Sequence, residues 1–267
     1  MDTVAFWQAI SLGIIEGLTE FLPISSTGHL ILAERLLGFT EGGRAFKIVI
    51  QLGAILAVCV VFAPKLLGIA RDLPRKPEAQ RFTRNILLAF LPAMLLGATL
   101  YKQVQALLDN PYVVCAALIA GGVVILLVDR LSATARVHAV EDVSARSSLL
   151  IGGAQVLAMV PGTSRSAATI IGAMALGVDR RTAAEFSFVL AIPTMLAATA
   201  YSLYKEWTVL SWDGLGLIAV GTAAAFVCAL LVVRLVLALI ARIGWAPFGW
   251  YRIVLGVVML VVLYRGG

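Results

Sequence analysis

Long apolar runs separated by short polar stretches dominate the chain. Six of these runs predict membrane-spanning helices, because a bilayer core requires about 20 apolar residues per helix. They lie at residues 46–63, 85–101, 111–128, 186–204, 215–233 and 251–264. The pattern therefore predicts an all-α, polytopic integral membrane protein.

Two further apolar segments are interrupted in the middle. They cover residues 6–37 and 148–178, and proline, glycine and hydroxyl residues break each of them. Short, interrupted hydrophobic segments are typical of helices that enter a membrane, turn and leave on the same side. Irregular backbone at that depth requires cover from protein or a wet cavity. We therefore predict two re-entrant helical hairpins in addition to the six spans.

The composition agrees with a membrane protein and excludes a large soluble fold. Hydrophobic residues make up 61% of the 267 residues, charged residues 13%, and the mean hydropathy is +0.97. Soluble domains are about half apolar and a quarter charged. The first apolar segment has no basic region before it and contains Glu16, so we expect no cleavable signal. Cys59, Cys115 and Cys228 are scattered, which predicts neither a disulfide framework nor a metal site.

The distribution of basic residues predicts the orientation. A net charge of +6 could indicate a nucleic-acid partner, but the basic residues lie in short loops, which positive-inside topology explains better. We therefore expect the bilayer and no nucleic acid as partner. The richer loops contain Lys65, Arg71, Arg75, Lys76, Arg81, Arg84, Arg136, Arg146, Arg180, Arg181 and Arg242, and the opposite loops contain only Arg44, Lys102 and Lys205. Both termini are expected outside, with the first interrupted segment entering from outside and the second from the cytoplasm.

A weak internal repeat relates the two halves of the single membrane domain, at about residues 1–135 and 145–267. Pro23-Ile-Ser-Ser matches Pro161-Gly-Thr-Ser at an offset of 138, and Phe46 matches Phe186. Each half has one interrupted segment and three spans, and an odd number of spans makes the second half inverted. Chance similarity between apolar runs is the alternative. An inverted repeat predicts a site near the midplane, where the interrupted segments meet.

The first interrupted segment contains two carboxylates four residues apart, Glu16 and Glu20. On a helix they share one face, and their like charges are costly at membrane depth. A divalent cation would relieve that cost, and oxygen ligands with a phosphate-bearing substrate suit Mg²⁺ or Ca²⁺. Two surface carboxylates on an interfacial helix are the alternative, which the apolar flanking residues disfavour.

Hydroxyl residues and a histidine follow these carboxylates. Ser25, Ser26 and Thr27 precede an apolar run, so helix capping explains one or two of them. Capping leaves His29 unexplained. A neutral imidazole beside a hydroxyl can accept its proton, or can itself attack phosphorus.

The second interrupted segment reads Pro161-Gly-Thr-Ser-Arg-Ser166. Glycine and hydroxyl residues that open a helix create an anion site from free N–H groups and the helix dipole. This predicts phosphate contacts from Gly162, Thr163, Ser164 and Ser166. Arg165 adds a permanent cation whose planar fork matches phosphate. A structural ion pair with Glu16 or Glu20 is the alternative role for Arg165.

These two motifs, EGLTEFLPISSTGH at 16–29 and PGTSRS at 161–166, make the chain resemble the undecaprenyl-diphosphatase family over essentially its whole length. Ala167 stands where many members have glycine. The resemblance implies removal of the terminal phosphate from a C55 isoprenyl diphosphate, which recycles the cell-wall lipid carrier. It also implies a divalent cation, a bacterial plasma membrane location and an active site open to the periplasm. The functional positions that it implies are Glu16, Glu20, Ser25, Ser26, Thr27, His29, Ser164, Arg165 and Ser166.

Some questions stay open at this point. The attacking group is Ser26, His29 or water. A homodimer is a further expectation, and the sequence does not establish the oligomeric state. Inverted repeats with broken helices are also typical of transporters, so movement of a lipid phosphate or another anion is the alternative function. The cluster of hydroxyl, histidine and arginine side chains favours hydrolysis.

Overall fold

The computed structural model describes residues 2–39, 43–108, 110–131, 135–205 and 214–266. These residues form α-helices and two 3-10 turns, with no β-strand among them. The helices are α1 Thr3–Thr19, α2 Ser26–Leu37, α3 Gly43–Val61, α4 Ala63–Asp72, α5 Pro77–Thr99, α6 Tyr101–Leu108, α7 Pro111–Leu131, α8 Ala145–Val156, α9 Arg165–Ala175, α10 Arg180–Lys205, α11 Leu215–Ile243 and α12 Ala246–Gly266.

Five of the six predicted spans are confirmed among the described residues. Helices α5, α7, α10, α11 and α12 are each long and apolar enough to cross a membrane. Helices α3 and α4 are bent by 68° relative to each other and meet the same length and hydropathy requirement only when they are counted together, as a broken span or a re-entrant loop, so the predicted span at 46–63 stays a prediction. Several predicted ends were wrong: α5 begins at Pro77 rather than at residue 85, α11 ends at Ile243 rather than at 233, and α12 begins at Ala246 rather than at 251. Backbone hydrogen bonding continues through the polar residues at which an apolar run stops.

The two interrupted segments form helical hairpins, as predicted. Helix α1 contacts α2, and α8 contacts α9. Helices α2, α8 and α9 have 12, 12 and 11 residues, which is too short to cross a bilayer. We call α1–α2 the first hairpin and α8–α9 the second hairpin.

Each hairpin packs against a span from the other half of the sequence. Helix α1 lies against α11, and α8 lies against α5. Small residues allow this close approach, since a Cβ atom added at Gly13 would lie 2.2 Å from the carbonyl oxygen of Gly221. Helices α3 and α10, and α7 and α12, also contact each other. Two related halves would give such matching contacts, and the inverted repeat stays a prediction.

A charged cluster joins α4, α10 and the loop before α8. Lys65 Nζ lies 2.6 Å from Glu141 Oε1 and 2.7 Å from Glu185 Oε1. These contacts tie the basic loop after α3 to the rest of the fold. The side chains of Arg44 and Lys102, which enter the predicted orientation, lie outside the described part of the chain. Cys59, Cys115 and Cys228 are free thiols.

Candidate active site

The two hairpin turns end in the same unusual backbone conformation. Ser25 and Ser164 are the N-caps of α2 and α9, with φ of 70° and 72°. Their hydroxyl oxygens accept hydrogen bonds from Gly28 N and Ala167 N. Positive φ is uncommon for residues other than glycine and tends to occur at functional sites. The two helix N-termini are therefore built alike.

This likeness changes the predicted alignment of the repeat by one residue. The prolines gave the offset of 138, which placed Ser26 opposite Ser164. The N-caps instead relate Ser25 to Ser164, so Ser26 corresponds to Arg165. The first helical residue is thus a hydroxyl in one hairpin and a cation in the other. Two helix N-termini and one guanidinium together offer positive potential to an anion.

Glu20 joins the two hairpins. Its Oε2 accepts a hydrogen bond of 2.5 Å from Ser26 Oγ, and its Oε1 accepts one of 3.3 Å from Arg165 Nη2. Arg165 Nη1 also donates to the Ser187 carbonyl oxygen at 3.0 Å, and its guanidinium lies 5.6 Å from the centre of the Phe21 ring. Both charged side chains are buried. The contact confirms the predicted meeting of the two segments, and it includes the ion pair named as an alternative role for Arg165.

A cavity of about 600 Å³ opens beside this contact. One end is polar and is lined by Glu20, Ser25, Ser26, Thr27, Gly162, Ser164 and Arg165, with Gln51 and Gln155 nearby. The other end is mainly apolar and lies between α5 and α10, with Phe90, Met94, Gly97, Met195 and Ala198 in its wall. Such a cavity suits a ligand with a charged head and an apolar tail. Predicted residues Thr163 and Ser166 are not among its lining.

Ser166 connects the hairpins instead. Its hydroxyl donates to the carbonyl oxygen of Leu22 at 2.8 Å, and Ser164 Oγ lies 2.9 Å from Ser166 Oγ. Ser166 is fully buried, and its hydroxyl holds the turn of the first hairpin against α9. A phosphate contact from Ser166 stays a prediction.

Glu16 is the other predicted metal ligand. It is fully buried, and neither carboxylate oxygen has a hydrogen-bond partner within the described residues. Its carboxylate interacts electrostatically with Glu20 and with Arg165. No cluster of three or more His, Cys, Asp or Glu side chains suited to a metal occurs in the part of the chain that the structure describes. The donor set is thus two carboxylates, which fits Mg²⁺ when substrate phosphates and water complete the shell.

His29 does not pair with Ser26. Its Nδ1–H donates to the Ser25 carbonyl oxygen at 2.8 Å, because a carbonyl can only accept. Nε2 then accepts from the Tyr251 hydroxyl at 2.7 Å, and the two rings are stacked with centroids 5.6 Å apart. Both ring nitrogens are hydrogen-bonded, so proton removal or attack by His29 would require the Tyr251 hydroxyl to give up its bond to Nε2. The Ser26 hydroxyl, which the sequence spacing paired with His29, donates to Glu20 instead.

Sequence reasoning missed two residues of α12. Tyr251 holds His29, and Arg252 is fully buried between the turns of both hairpins. An arginine inside an apolar run was a usable signal, since charged groups at membrane depth are usually functional. Tyr251 gave no such signal, because aromatic residues are common near span ends.

Comparison with known proteins identifies the family. A family model described as bacitracin resistance protein BacA matches residues 9–258. Undecaprenyl-diphosphatase 2 of Paramagnetospirillum magneticum is 56% identical over 258 residues, which cover 96% of this chain and 98% of that protein. The undecaprenyl-diphosphatase of Sphingopyxis alaskensis is 56% identical over 249 residues, covering 92% and 94%. That of Parvibaculum lavamentivorans is 51% identical over 262 residues, covering 98% of each. This chain belongs to the bacitracin resistance protein BacA family.

Proposed function

We propose that the chain is a membrane phosphatase that hydrolyses undecaprenyl diphosphate to the monophosphate and inorganic phosphate. The observation that carries the proposal is the position of Glu20, which binds Ser26 of the first hairpin and Arg165 of the second hairpin. A hydroxyl bound to a carboxylate is an activated nucleophile, and an adjacent guanidinium stabilises phosphoryl charge.

In the proposed reaction Ser26 Oγ attacks the terminal phosphorus while Glu20 accepts the hydroxyl proton. The bond from phosphorus to the bridging oxygen breaks, and undecaprenyl monophosphate leaves with the electron pair. Water then cleaves the phosphoserine to give inorganic phosphate and free Ser26. Arg165 and the N–H groups at the starts of α2 and α9 bind the phosphoryl oxygens on which charge develops. His29 acts on Ser25 and not on phosphorus.

Glu16 and Glu20 are the proposed ligands of a divalent cation, Mg²⁺ or Ca²⁺. The buried Glu16 carboxylate, which has no hydrogen-bond partner among the described residues, supports this, because an uncompensated charge there is costly. When bound, the cation would neutralise diphosphate charge and orient the terminal phosphate.

The isoprenyl tail is proposed to leave through the apolar end of the cavity, between α5 and α10. This keeps the tail in the bilayer while the diphosphate reaches Glu20. From the loop charges we further propose a bacterial inner-membrane location, a site that opens to the periplasm and termini on the outside. A homodimer stays a prediction.

Phosphate release by the purified protein in detergent tests hydrolysis against transport, because no gradient exists there. We expect release that stops in chelator and returns with added Mg²⁺ or Ca²⁺. Glu20→Gln should lower kcat by about 100-fold or more, the usual contribution of a general base. The matched control is Glu34→Gln, because Glu34 is paired with Lys47. Substrate binding without phosphate release by the wild-type protein would favour transport instead.

A further inference from the structure

We infer that Arg252 is a positioning residue for this reaction, which holds the two hairpin turns in the relative position that brings Ser26 and Arg165 to one phosphate. The inference rests on the proposed site and adds a residue that contacts none of the reacting groups.

Arg252 uses every donor of its guanidinium on main-chain carbonyls. Nε donates at 3.3 Å, Nη1 at 3.1 and 2.8 Å, and Nη2 at 3.0 and 3.0 Å. A guanidinium has five N–H donors, so none is left for another partner. The acceptors are the carbonyl oxygens of Leu118, Pro23, Thr163, Ala117 and Gly162, in the order of those distances.

Three of these acceptors belong to the hairpin turns. Nη1 connects the two turns directly, since it donates both to Pro23 of the first hairpin and to Thr163 of the second. Thr163 immediately precedes Ser164, and Pro23 lies two residues before Ser25, the two N-caps with positive φ. One planar group therefore fixes the backbone that sets the direction of both helix starts.

The other two acceptors anchor the guanidinium to α7. Ala117 and Leu118 lie one helical turn before Gly121, and a Cβ atom at Gly121 would lie 2.2 Å from Arg252 Nη2. Glycine at this position leaves the notch that the guanidinium occupies. Arg252 itself is on α12, so its bonds join α7, α12 and both hairpins.

A lysine at position 252 cannot make these five hydrogen bonds. It retains the charge but has three donors on one nitrogen, so at least two of the five carbonyls lose their partner. Displacement of a reacting group by about 1 Å can cost about 100-fold in rate. A positioning role therefore predicts a lower kcat with little change in KM, because the head group still finds the separate phosphate contacts.

The test is a double-mutant cycle on the full-length protein in detergent, with kcat, KM and thermal unfolding of each variant. Arg252→Lys should lower kcat per folded protein by about 100-fold, whereas Arg242→Lys, an exposed arginine on α11, should not. Arg165→Lys should lower kcat by a much smaller factor in the Arg252→Lys background than in the wild type, because Arg165 is no longer aligned with the phosphate there. Gly121→Ala fills the notch while keeping Arg252, and it should reproduce the kcat defect.

The outcomes distinguish failure of the positioning role of Arg252 from failure of the proposed active site. A normal kcat in folded Arg252→Lys, or fully additive losses in the double variant, would overturn the positioning role alone. Full activity of Arg165→Lys by itself would overturn the proposed site, and the positioning role with it.

Discussion

Glu20 connects the hairpins because each of its carboxylate oxygens accepts a hydrogen bond from a different one. Sequence spacing pointed to Glu20, Ser26 and Arg165, and the structure brings all three together. Spacing also paired Ser26 with His29, three residues along a helix. That pairing fails because Ser26 is the first residue of α2 and its hydroxyl reaches back to Glu20. The partner that His29 does have, Tyr251, is 222 residues away, beyond any local pattern.

His29 and Tyr251 are expected to act as one unit. Tyr251→Phe removes one hydrogen bond, which corresponds to a loss of up to about tenfold in turnover if it all reaches the transition state. His29→Ala should lose at least as much, because the Ser25 carbonyl also loses its side-chain donor and keeps only the N–H of residue 29. Initial rates of phosphate release would measure both, with the exposed Tyr112→Phe as control.

The double variant decides whether the pair is a unit. We expect His29→Ala with Tyr251→Phe to turn over like His29→Ala alone. A further drop on adding Tyr251→Phe would mean that Tyr251 acts elsewhere.

At the scale of elements, apolar runs predicted the five single-helix spans but placed several of their ends too early or too late. Helix α5 continues through Arg84 and Glu78 to Pro77, and α11 continues past Arg234. An apolar run stops at a charged residue, whereas a helix ends where its backbone hydrogen bonds end.

The short helices α4 and α6 were also missed. The bend between α3 and α4 falls at Phe62, two residues before Pro64, where a proline near a helix start interrupts the bonding.

The Lys65 cluster gives a pH-dependent prediction. Burial raises the pKa of Glu141, but the hydrogen bond from Lys65, a backbone hydrogen bond and the Lys65 charge together outweigh it, and the pKa lies below its ordinary value of 4.5. A carboxylate with a lowered pKa stabilises the fold above that ordinary value, and the contribution is lost as the pH falls through the folded-state pKa. Glu141→Gln should therefore lower Tm at neutral pH, and the difference from wild type should disappear in acid.

Thermal unfolding in detergent across this pH range measures the effect. The control is Glu78→Gln, whose partner Arg81 lies 3.6 Å away on an exposed helix face. A Tm difference for Glu141→Gln that persists unchanged in acid would argue against the ion pair as its source.

At the scale of the whole molecule, the most extensive helix packing runs between the halves. The first hairpin packs on α11, the second hairpin on α5, and Arg165 reaches Glu20 across the boundary. Sequence similarity suggested the two halves but could not supply these contacts, since the matching residues are mostly apolar and interchangeable. The partners of Arg252 could not be predicted either, because its five acceptors are backbone carbonyl oxygens, which a pattern of side chains does not reveal.

The proposed orientation can be tested by cysteine labelling after the three native cysteines are replaced. Lys76→Cys, in the exposed loop before α5, should react only with a reagent that reaches the cytoplasm. Asn110→Cys, exposed before α7 at the other end of the span, should react from outside. The reverse labelling pattern would contradict both the orientation and the periplasmic site.

The central claim is that Ser26, held by Glu20 and faced by Arg165, carries out phosphoryl transfer. It is tested most directly by the initial rate of phosphate release from undecaprenyl diphosphate in detergent by Ser26→Ala. The control is Ser147→Ala, which removes a hydroxyl bonded to Ser144 near the start of α8. We predict that Ser26→Ala folds normally and loses at least about 100-fold in kcat, while the control turns over like the wild type. Wild-type turnover by folded Ser26→Ala would contradict the account.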